Sequence, residues 1–177
     1  MTAREKSSPT KKKRGGGKAI PALLCNVLGI LLIVGVILLM LPSFFPRALG
    51  IQVFNVVSGS MEPTIPVGSM IFVQPTEAET VENGDVIAFY SNGVVVTHRV
   101  VENRQLENRF VTKGDANEQE DIQKIEYADL LGKVVYHVPM LGDVTAHLTT
   151  PLGKIYLFAL VLCGLLFNVI AGRLREE

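Results

Sequence analysis

Cysteine is nearly absent from this chain: among 177 residues, only Cys25 and Cys163 carry a thiol. Both lie in long apolar runs, so we expect small apolar side chains there and no disulfide in the polar part of the chain. Histidine is also scarce, and none of the three has metal-ligand spacing with a cysteine: His98, His137 and His147. We therefore expect no metal site and no cofactor.

Charge is missing from two stretches, residues 20–41 and residues 155–171. At a helical rise of about 1.5 Å per residue, the first run can cross a hydrocarbon core about 30 Å thick, and the second can do so if residues 152–154 extend it. For the first run the alternative is a cleaved signal peptide, but the run is too long for one. For the second run the alternative is a buried core helix. The pattern predicts transmembrane helices at residues 20–41 and 152–172.

A net charge of zero hides an uneven distribution of charge along the chain. Residues 1–19 are basic and glycine-rich, which predicts a disordered tail that the positive-inside rule keeps in the cytoplasm. Residues 42–151 then lie outside, and residues 173–177 return to the cytoplasm. The basic cluster Lys11–Arg14 could be a nucleic-acid patch, but beside a span it is more simply a topology signal that touches anionic lipid. We expect no nucleic-acid partner.

Residues 42–151 have the pattern of a mainly β domain. Short runs rich in β-branched and aromatic residues alternate with Gly, Pro and Asn, and Asn92-Gly93 is a strong hairpin signal. The predicted strands are residues 52–57, 70–73, 85–90, 94–101, 110–113 and 132–138. Strands this short and this numerous predict a small antiparallel barrel or folded sheet, flanked here by two transmembrane helices.

The segment Ser-Gly-Ser-Met-Glu-Pro, at residues 58–63, follows the first predicted strand. A chain that turns sharply there can present a hydroxyl and backbone N–H groups together. Acyl transfer needs both, because a nucleophile attacks while donors stabilise the oxyanion. Serine and glycine also form ordinary turns, so the segment alone is a weak signal.

A serine nucleophile needs a base, and the base needs a group that orients it. His98 lies within an apolar predicted strand, and an imidazole can take a hydroxyl proton at neutral pH. Asp115 and Asp121 follow a predicted turn at Gly114 and supply two carboxylates. A structural histidine and a solvated acidic loop are the alternatives, and these residues alone leave both open.

Four motifs occur in a fixed order, at residues 58–63, 84–89 (Gly-Asp-Val-Ile-Ala-Phe), 97–100 (Thr-His-Arg-Val) and 112–117 (Thr-Lys-Gly-Asp-Ala-Asn). Together they closely resemble type I signal peptidases over roughly residues 25–145. His98 stands where most bacterial members have a lysine, so the chain resembles the Ser–His branch of the endoplasmic reticulum, archaea and sporulating Gram-positive bacteria. One departure is Ala116, where asparagine is usual.

The resemblance implies a role for each site residue. Ser60 matches the nucleophile, and Ser58 with the backbone N–H of Ser60 matches the oxyanion site. His98 matches the general base. Asp115 and Asp121 match the two acids of the Gly-Asp block, and of these two we expect Asp121 to orient His98 and Asp115 to support it.

The family fold is a mostly β structure to which the substrate adds as an extended strand. The implied activity is removal of N-terminal signal peptides after small side chains, at Ala-x-Ala-like sites. The implied substrate-binding residues are Val56, Val57, Val95, Val96 and Thr97. The implied partners are signal-peptide-bearing preproteins, the lipid bilayer and a secretion translocon. The expected location is the plasma membrane, with the catalytic domain outside the cytoplasm and the endoplasmic reticulum membrane as the alternative.

Three alternatives stay open at this point. Lys113 could be the base of a Ser–Lys protease. Asp115 beside it, however, favours the charged amine, which is a poor base because it already carries its proton. The chain could be a non-enzymatic anchored β module of a secretion or pilus system. It could also work only as a subunit of a larger complex.

Overall fold

The computed structural model describes residues 19–176, so all of the predicted basic tail except Ala19 lies outside the described residues. The described chain contains three α-helices: α1 (Ala19–Ala48), α2 (Leu141–Thr149) and α3 (Pro151–Glu176). It divides into two compact units, one formed by residues 19–36 and 158–176, and the other by residues 37–157.

The first unit consists of the apolar parts of α1 and α3. The stretches Ile20–Ser43 and Pro151–Arg175, with mean hydropathies of 2.9 and 2.4, are long and apolar enough to cross a membrane. The two helices touch at Gly29, where an added Cβ would lie only 2.6 Å from the carbonyl oxygen of Gly164. Glycine at this position therefore lets the two backbones approach closely, as is common between membrane helices.

Both helices are longer than the uncharged runs that predicted them. Helix α1 continues through Pro42 and Pro46 to Ala48. Each proline removes one backbone donor from the helix, yet neither ends it. Helix α3 begins at Pro151, where the rigid φ of proline suits a first helical position.

The second unit is built on one seven-stranded antiparallel sheet with the order β1-β2-β7-β3-β4-β5-β6. Its strands are β1 (Gln52–Asn55), β2 (Met70–Gln74), β3 (Val86–Ser91), β4 (Val94–Arg104), β5 (Arg109–Lys113), β6 (Ile125–Glu126) and β7 (Leu130–Val138). The prediction of a mainly β domain with two apolar flanking helices is confirmed. Asn92 and Gly93 form the β3–β4 turn with positive φ, as the hairpin signal predicted.

Two hydrophobic clusters pack against the sheet, and β3 contributes to both. Ile87 and Phe89 belong to one cluster, whereas Ala88, which points the opposite way, belongs to the other. The second cluster also contains Met61 and Ile65, which lie outside the strands. The segment after β1 is therefore anchored in the core of the sheet and is not a free surface loop.

Candidate active site

Ser60 is presented by a turn that is fixed at both ends. Before it, the backbone N–H of Val56 donates to Ser69 over 2.8 Å, and Val56 accepts from the N–H of Gly68 over 2.9 Å. After it, Met61 is 2% exposed and packs into the core. A buried methionine directly after the serine thus holds a half-buried hydroxyl residue at the edge of the core.

The loop that follows β5 docks on the backbone of Ser60. The N–H of Ala116 donates to the Ser60 carbonyl oxygen over 2.9 Å. A Cβ on Gly114 would lie 2.6 Å from the same oxygen, so glycine is needed for this close approach. Arg99 pairs with Lys113 in the sheet, and the register continued by one residue sets Gly114 across from His98. The turn that contains Ser60 therefore contacts Gly114, the residue across from His98.

His98 is buried in the middle of β4 and has one carboxylate partner. Its Nδ1 lies 2.5 Å from the Oδ2 of Asp121. Its ring packs edge-on to Phe89, with 6.3 Å between ring centroids and 71° between planes. Since Nδ1 is engaged by the carboxylate, Nε2 is the nitrogen left to exchange a proton with another group.

Asp115 makes a different contact from Asp121. Its two carboxylate oxygens accept from Nε and Nη2 of Arg99 over 2.8 and 2.6 Å, which is a bidentate ion pair. Arg99 also donates from Nη1 to the carbonyl of Gly84 over 2.7 Å. Asp115 therefore braces the loop that touches Ser60, and it lies on Arg99 and not on His98.

Lys113 projects from the face of β5 opposite to that of Thr112. It is paired with Arg99, which is on the opposite face of β4 from His98 because successive side chains alternate. Its charge is one of those that lower the pKa of Asp115. This placement does not bring Lys113 to the face that carries His98.

Residues 40–135 match the family described as Peptidase S24-like, which is more than half of the chain. The chain belongs to the Peptidase S24-like family. Its similarity to individual proteins includes the signal peptidase complex catalytic subunit SEC11 of Ogataea parapolymorpha, with 34% identity over 116 residues, covering 53% of this chain and 65% of that protein.

Two further relatives come from distant organisms. SEC11C, a signal peptidase complex catalytic subunit of Homo sapiens, is 31% identical over 102 residues, covering 51% of this chain and 53% of that protein. Signal peptidase I W of Bacillus subtilis is 39% identical over 80 residues, covering 43% of this chain and 42% of that protein. The chain thus spans between about two fifths and two thirds of these relatives. Their names confirm the resemblance to signal peptidases.

A small pocket of this S24-like domain lies beside Ser60. Its volume is about 80 Å³, and it is bounded mainly by the end of β1 with the serine turn and by β4. Of the residues expected to bind substrate, it is lined by Val56, Val57, Val96 and Thr97. Val95 does not line this pocket and packs against the core cluster that contains Met61 and Ile65. Strands β1 and β4 are not neighbours in the sheet order, yet residues of both line this pocket.

A larger open cleft, of about 760 Å³, is bordered by His98. It is bounded by the last residues of β3, the first half of β4 and residues 116–123 of the loop after β5. Asp121 and His98 both line it, so the imidazole borders this cleft while Val96 borders both spaces. The base candidate is therefore close to solvent although its side chain is largely buried.

Sequence reasoning named the acids but missed the partners that hold them. Arg99 and Thr112 stand inside the quoted motifs, yet only the folded chain pairs Arg99 with Asp115 and Thr112 with Asp121. Neither partner has a distinctive spacing signal. Their position inside these motifs was the one available hint.

We expect Asp115→Asn to lower the free energy of unfolding at neutral pH by about 1–2 kcal/mol, because it removes a charge-assisted pair whose arginine is partly screened by solvent. The hydrogen bonds of Arg99, aided by Thr64, hold the pKa of Asp115 below its ordinary value despite partial burial. The stabilisation is therefore present above about pH 4 and is lost as pH falls through the lowered pKa.

Thermal unfolding of the detergent-solubilised chain between pH 2 and pH 7 measures this effect. The difference in unfolding temperature between the wild type and Asp115→Asn should disappear in the acid range. Exposed Glu118→Gln serves as the charge control. An equal difference in unfolding temperature between wild type and Asp115→Asn at pH 2 and pH 7 would contradict the proposed cause.

Proposed function

We propose that this chain is a membrane-anchored serine endopeptidase that removes N-terminal signal peptides from exported preproteins, cutting after small side chains at Ala-x-Ala-like sites. The observation that carries the proposal is the His98–Asp121 pair, set across from a glycine on which the Ser60 turn rests. A buried imidazole–carboxylate pair next to an anchored serine is the arrangement that nucleophilic acyl transfer needs. Relatives named as signal peptidases support the choice of substrate.

In the proposed reaction, the Oγ of Ser60 attacks the scissile carbonyl carbon while Nε2 of His98 takes the hydroxyl proton. Asp121 keeps the imidazole in the tautomer with hydrogen on Nδ1 and stabilises the imidazolium that forms. Collapse of the tetrahedral intermediate breaks the C–N bond, and the leaving amine takes the proton back from Nε2. Water then attacks the ester, with His98 acting again as base and then as acid, and Ser60 is released.

The oxyanion of the intermediate needs donors fixed before the reaction begins. We assign them to the backbone N–H of Ser60 and the hydroxyl of Ser58, two positions earlier on the same turn. Because Met61 is buried and Ala116 binds the Ser60 carbonyl, the turn has little freedom to reorient. Preorganised donors of this kind stabilise developing charge without reorganisation.

The preprotein would enter as an extended strand. Strand β1 is at the edge of the sheet, and the first residues of β4, Val94 to His98, extend beyond its pairing with β5. Both therefore offer backbone groups along the 80 Å³ pocket. A pocket of this volume accepts a methyl-sized side chain and excludes a large one, which supports the preference for small residues.

The two apolar helices support a membrane location for the peptidase, with residues 42–151 as the catalytic domain outside the cytoplasm and both chain ends inside. The signal peptide's apolar segment lies in the same bilayer, so anchoring raises its effective concentration near the enzyme. We place the chain in the plasma membrane, with the endoplasmic reticulum as the alternative and a secretion translocon as a candidate partner.

Cleavage of a purified preprotein by the purified chain in detergent tests the proposed activity. The expected product is one cut, located by N-terminal sequencing, that is lost when the alanine before the cut is replaced by a bulky residue. Cutting that ignores this replacement would contradict the proposed specificity. No cleavage by the wild type alone would favour the non-enzymatic module, or a subunit that needs its complex, and adding membranes of the source cell separates these two.

Ser58→Ala should reduce kcat by about 10²–10³-fold, the cost of one lost oxyanion donor in a serine protease. Ser58 is exposed, so the fold and unfolding temperature should not change. Steady-state kinetics with one preprotein measure this effect, and KM should stay within a factor of about two because the donor acts mainly on the transition state. An unchanged kcat would show that the Ser58 hydroxyl does not reach the oxyanion.

A further inference from the structure

Thr112 holds Asp121 through two separate hydrogen bonds. Its side-chain hydroxyl donates to Oδ2 of Asp121 over 2.6 Å, and its carbonyl oxygen accepts from the backbone N–H of Asp121 over 2.8 Å. Thr112 itself is fully buried in β5, paired with Val100 of β4. A residue on a loop is thus fixed by a fully buried residue of strand β5.

The hydroxyl of Thr112 and the imidazole of His98 meet on the same carboxylate oxygen. Oδ2 of Asp121 lies 2.5 Å from Nδ1 of His98 and 2.6 Å from Oγ1 of Thr112. Two donors on one oxygen set the rotation of the carboxylate about its χ2 bond, which is otherwise a broad torsion.

We propose that Thr112 is a positioning residue of the active site, which acts through Asp121 to hold the His98 imidazole in its reactive tautomer and orientation. The inference rests on the proposed function. Without the hydroxyl, the Asp121 carboxylate can rotate on its loop, and the His98 ring loses the fixed partner that keeps Nε2 aimed at the serine. Thr112 itself touches neither the substrate nor the reacting atoms.

A purely structural threonine would fill the same buried space, and its hydroxyl would form a hydrogen bond only because a buried polar group needs a partner. The two roles differ in what a substitution changes. A structural threonine affects the unfolding temperature, whereas a positioning threonine affects kcat at an unchanged KM. Hydroxyl and methyl must therefore be removed separately.

The experiment compares two matched pairs in the full chain with one preprotein. Thr112→Val differs from the wild type mainly by the hydroxyl, and Thr112→Ala differs from Thr112→Ser by the hydroxyl alone. We expect Thr112→Val and Thr112→Ala to lower kcat by about 10–100-fold while KM stays within about twofold. This is the size of the loss when a residue that hydrogen-bonds to a metal ligand is removed. Thr112→Ser should recover most of the lost kcat. If Thr112→Val does not fold, the Ala and Ser pair still isolates the hydroxyl.

Thr145→Val is the matched control, because Thr145 is also buried but bonds only carbonyl oxygens of α2. It should change the unfolding temperature without changing kcat. Wild-type kcat in Thr112→Val or Thr112→Ala, or an equal loss in Thr112→Ser, would overturn the positioning role. So would losses that simply follow the unfolding temperature across all four threonine variants. A wild-type chain that does not cleave even when membranes of the source cell are added would instead overturn the proposed function.

Discussion

Ser60→Ala should abolish preprotein cleavage while leaving the fold and membrane insertion intact. The substitution removes one oxygen from a half-buried side chain and leaves the buried Met61 and the Ala116 hydrogen bond in place. Loss of the nucleophile in another serine protease costs about 2 × 10⁶ in kcat, which is beyond detection in a preprotein assay. Time courses with equal amounts of wild type and variant measure the effect.

Circular dichroism and thermal unfolding of the Ser60→Ala protein provide the control. Both should match the wild type, because the turn keeps its anchors on either side of the serine. The unfolding temperature should therefore be the same within a degree or two. A correctly folded variant that still cleaved at the wild-type rate would mean that Ser60 is not the nucleophile.

Asp121→Asn should reduce kcat/KM by about 10⁴-fold, the second largest effect expected in this chain. The amide changes which tautomer of His98 is favoured and no longer stabilises the imidazolium, as in other serine proteases. Asp115→Asn should cost only about 10–100-fold, because Asp115 binds Arg99 and acts on Ser60 through the loop. Kinetics of the two Asn variants against one preprotein, with unfolding temperatures as the control, compare the acids directly.

The outcome of this comparison separates two kinds of acid. Asp115→Asn should lose more stability and less activity, and Asp121→Asn should show the reverse. Should Asp115→Asn prove the more damaging to kcat/KM at equal stability, the roles of the two aspartates would have to be exchanged.

The strands could be predicted well because each of six is a run of β-branched or aromatic residues bounded by turn residues. The two missed elements lack such a signal. Strand β6 has only two residues, Ile125 and Glu126, and depends on its pairing with β5. Helix α2 contains two threonines and a glycine, so its residues have weak helix propensity and its position depends on packing near β1 and β2.

The site residues could be named from motifs, but their contacts could not. Asp115 and Asp121 stand in one acidic loop, and nothing in their spacing assigns one to Arg99 and the other to His98. The register of β4 and β5 makes this assignment, because Arg99 and His98 project from opposite faces. The same register sets Thr112 on the face of His98 and leaves Lys113 on the opposite face.

Mass spectrometry of an acid-quenched reaction tests most directly whether Ser60 is the nucleophile of a signal peptidase. A preprotein mixed with excess enzyme and quenched within the first turnover should leave the signal peptide joined as an ester to the peptide that contains Ser60. The adduct should be absent from Ser60→Ala and should disappear from the wild type as water completes the turnover. An adduct on a different residue, or full cleavage with no adduct at any quench time, would contradict the account.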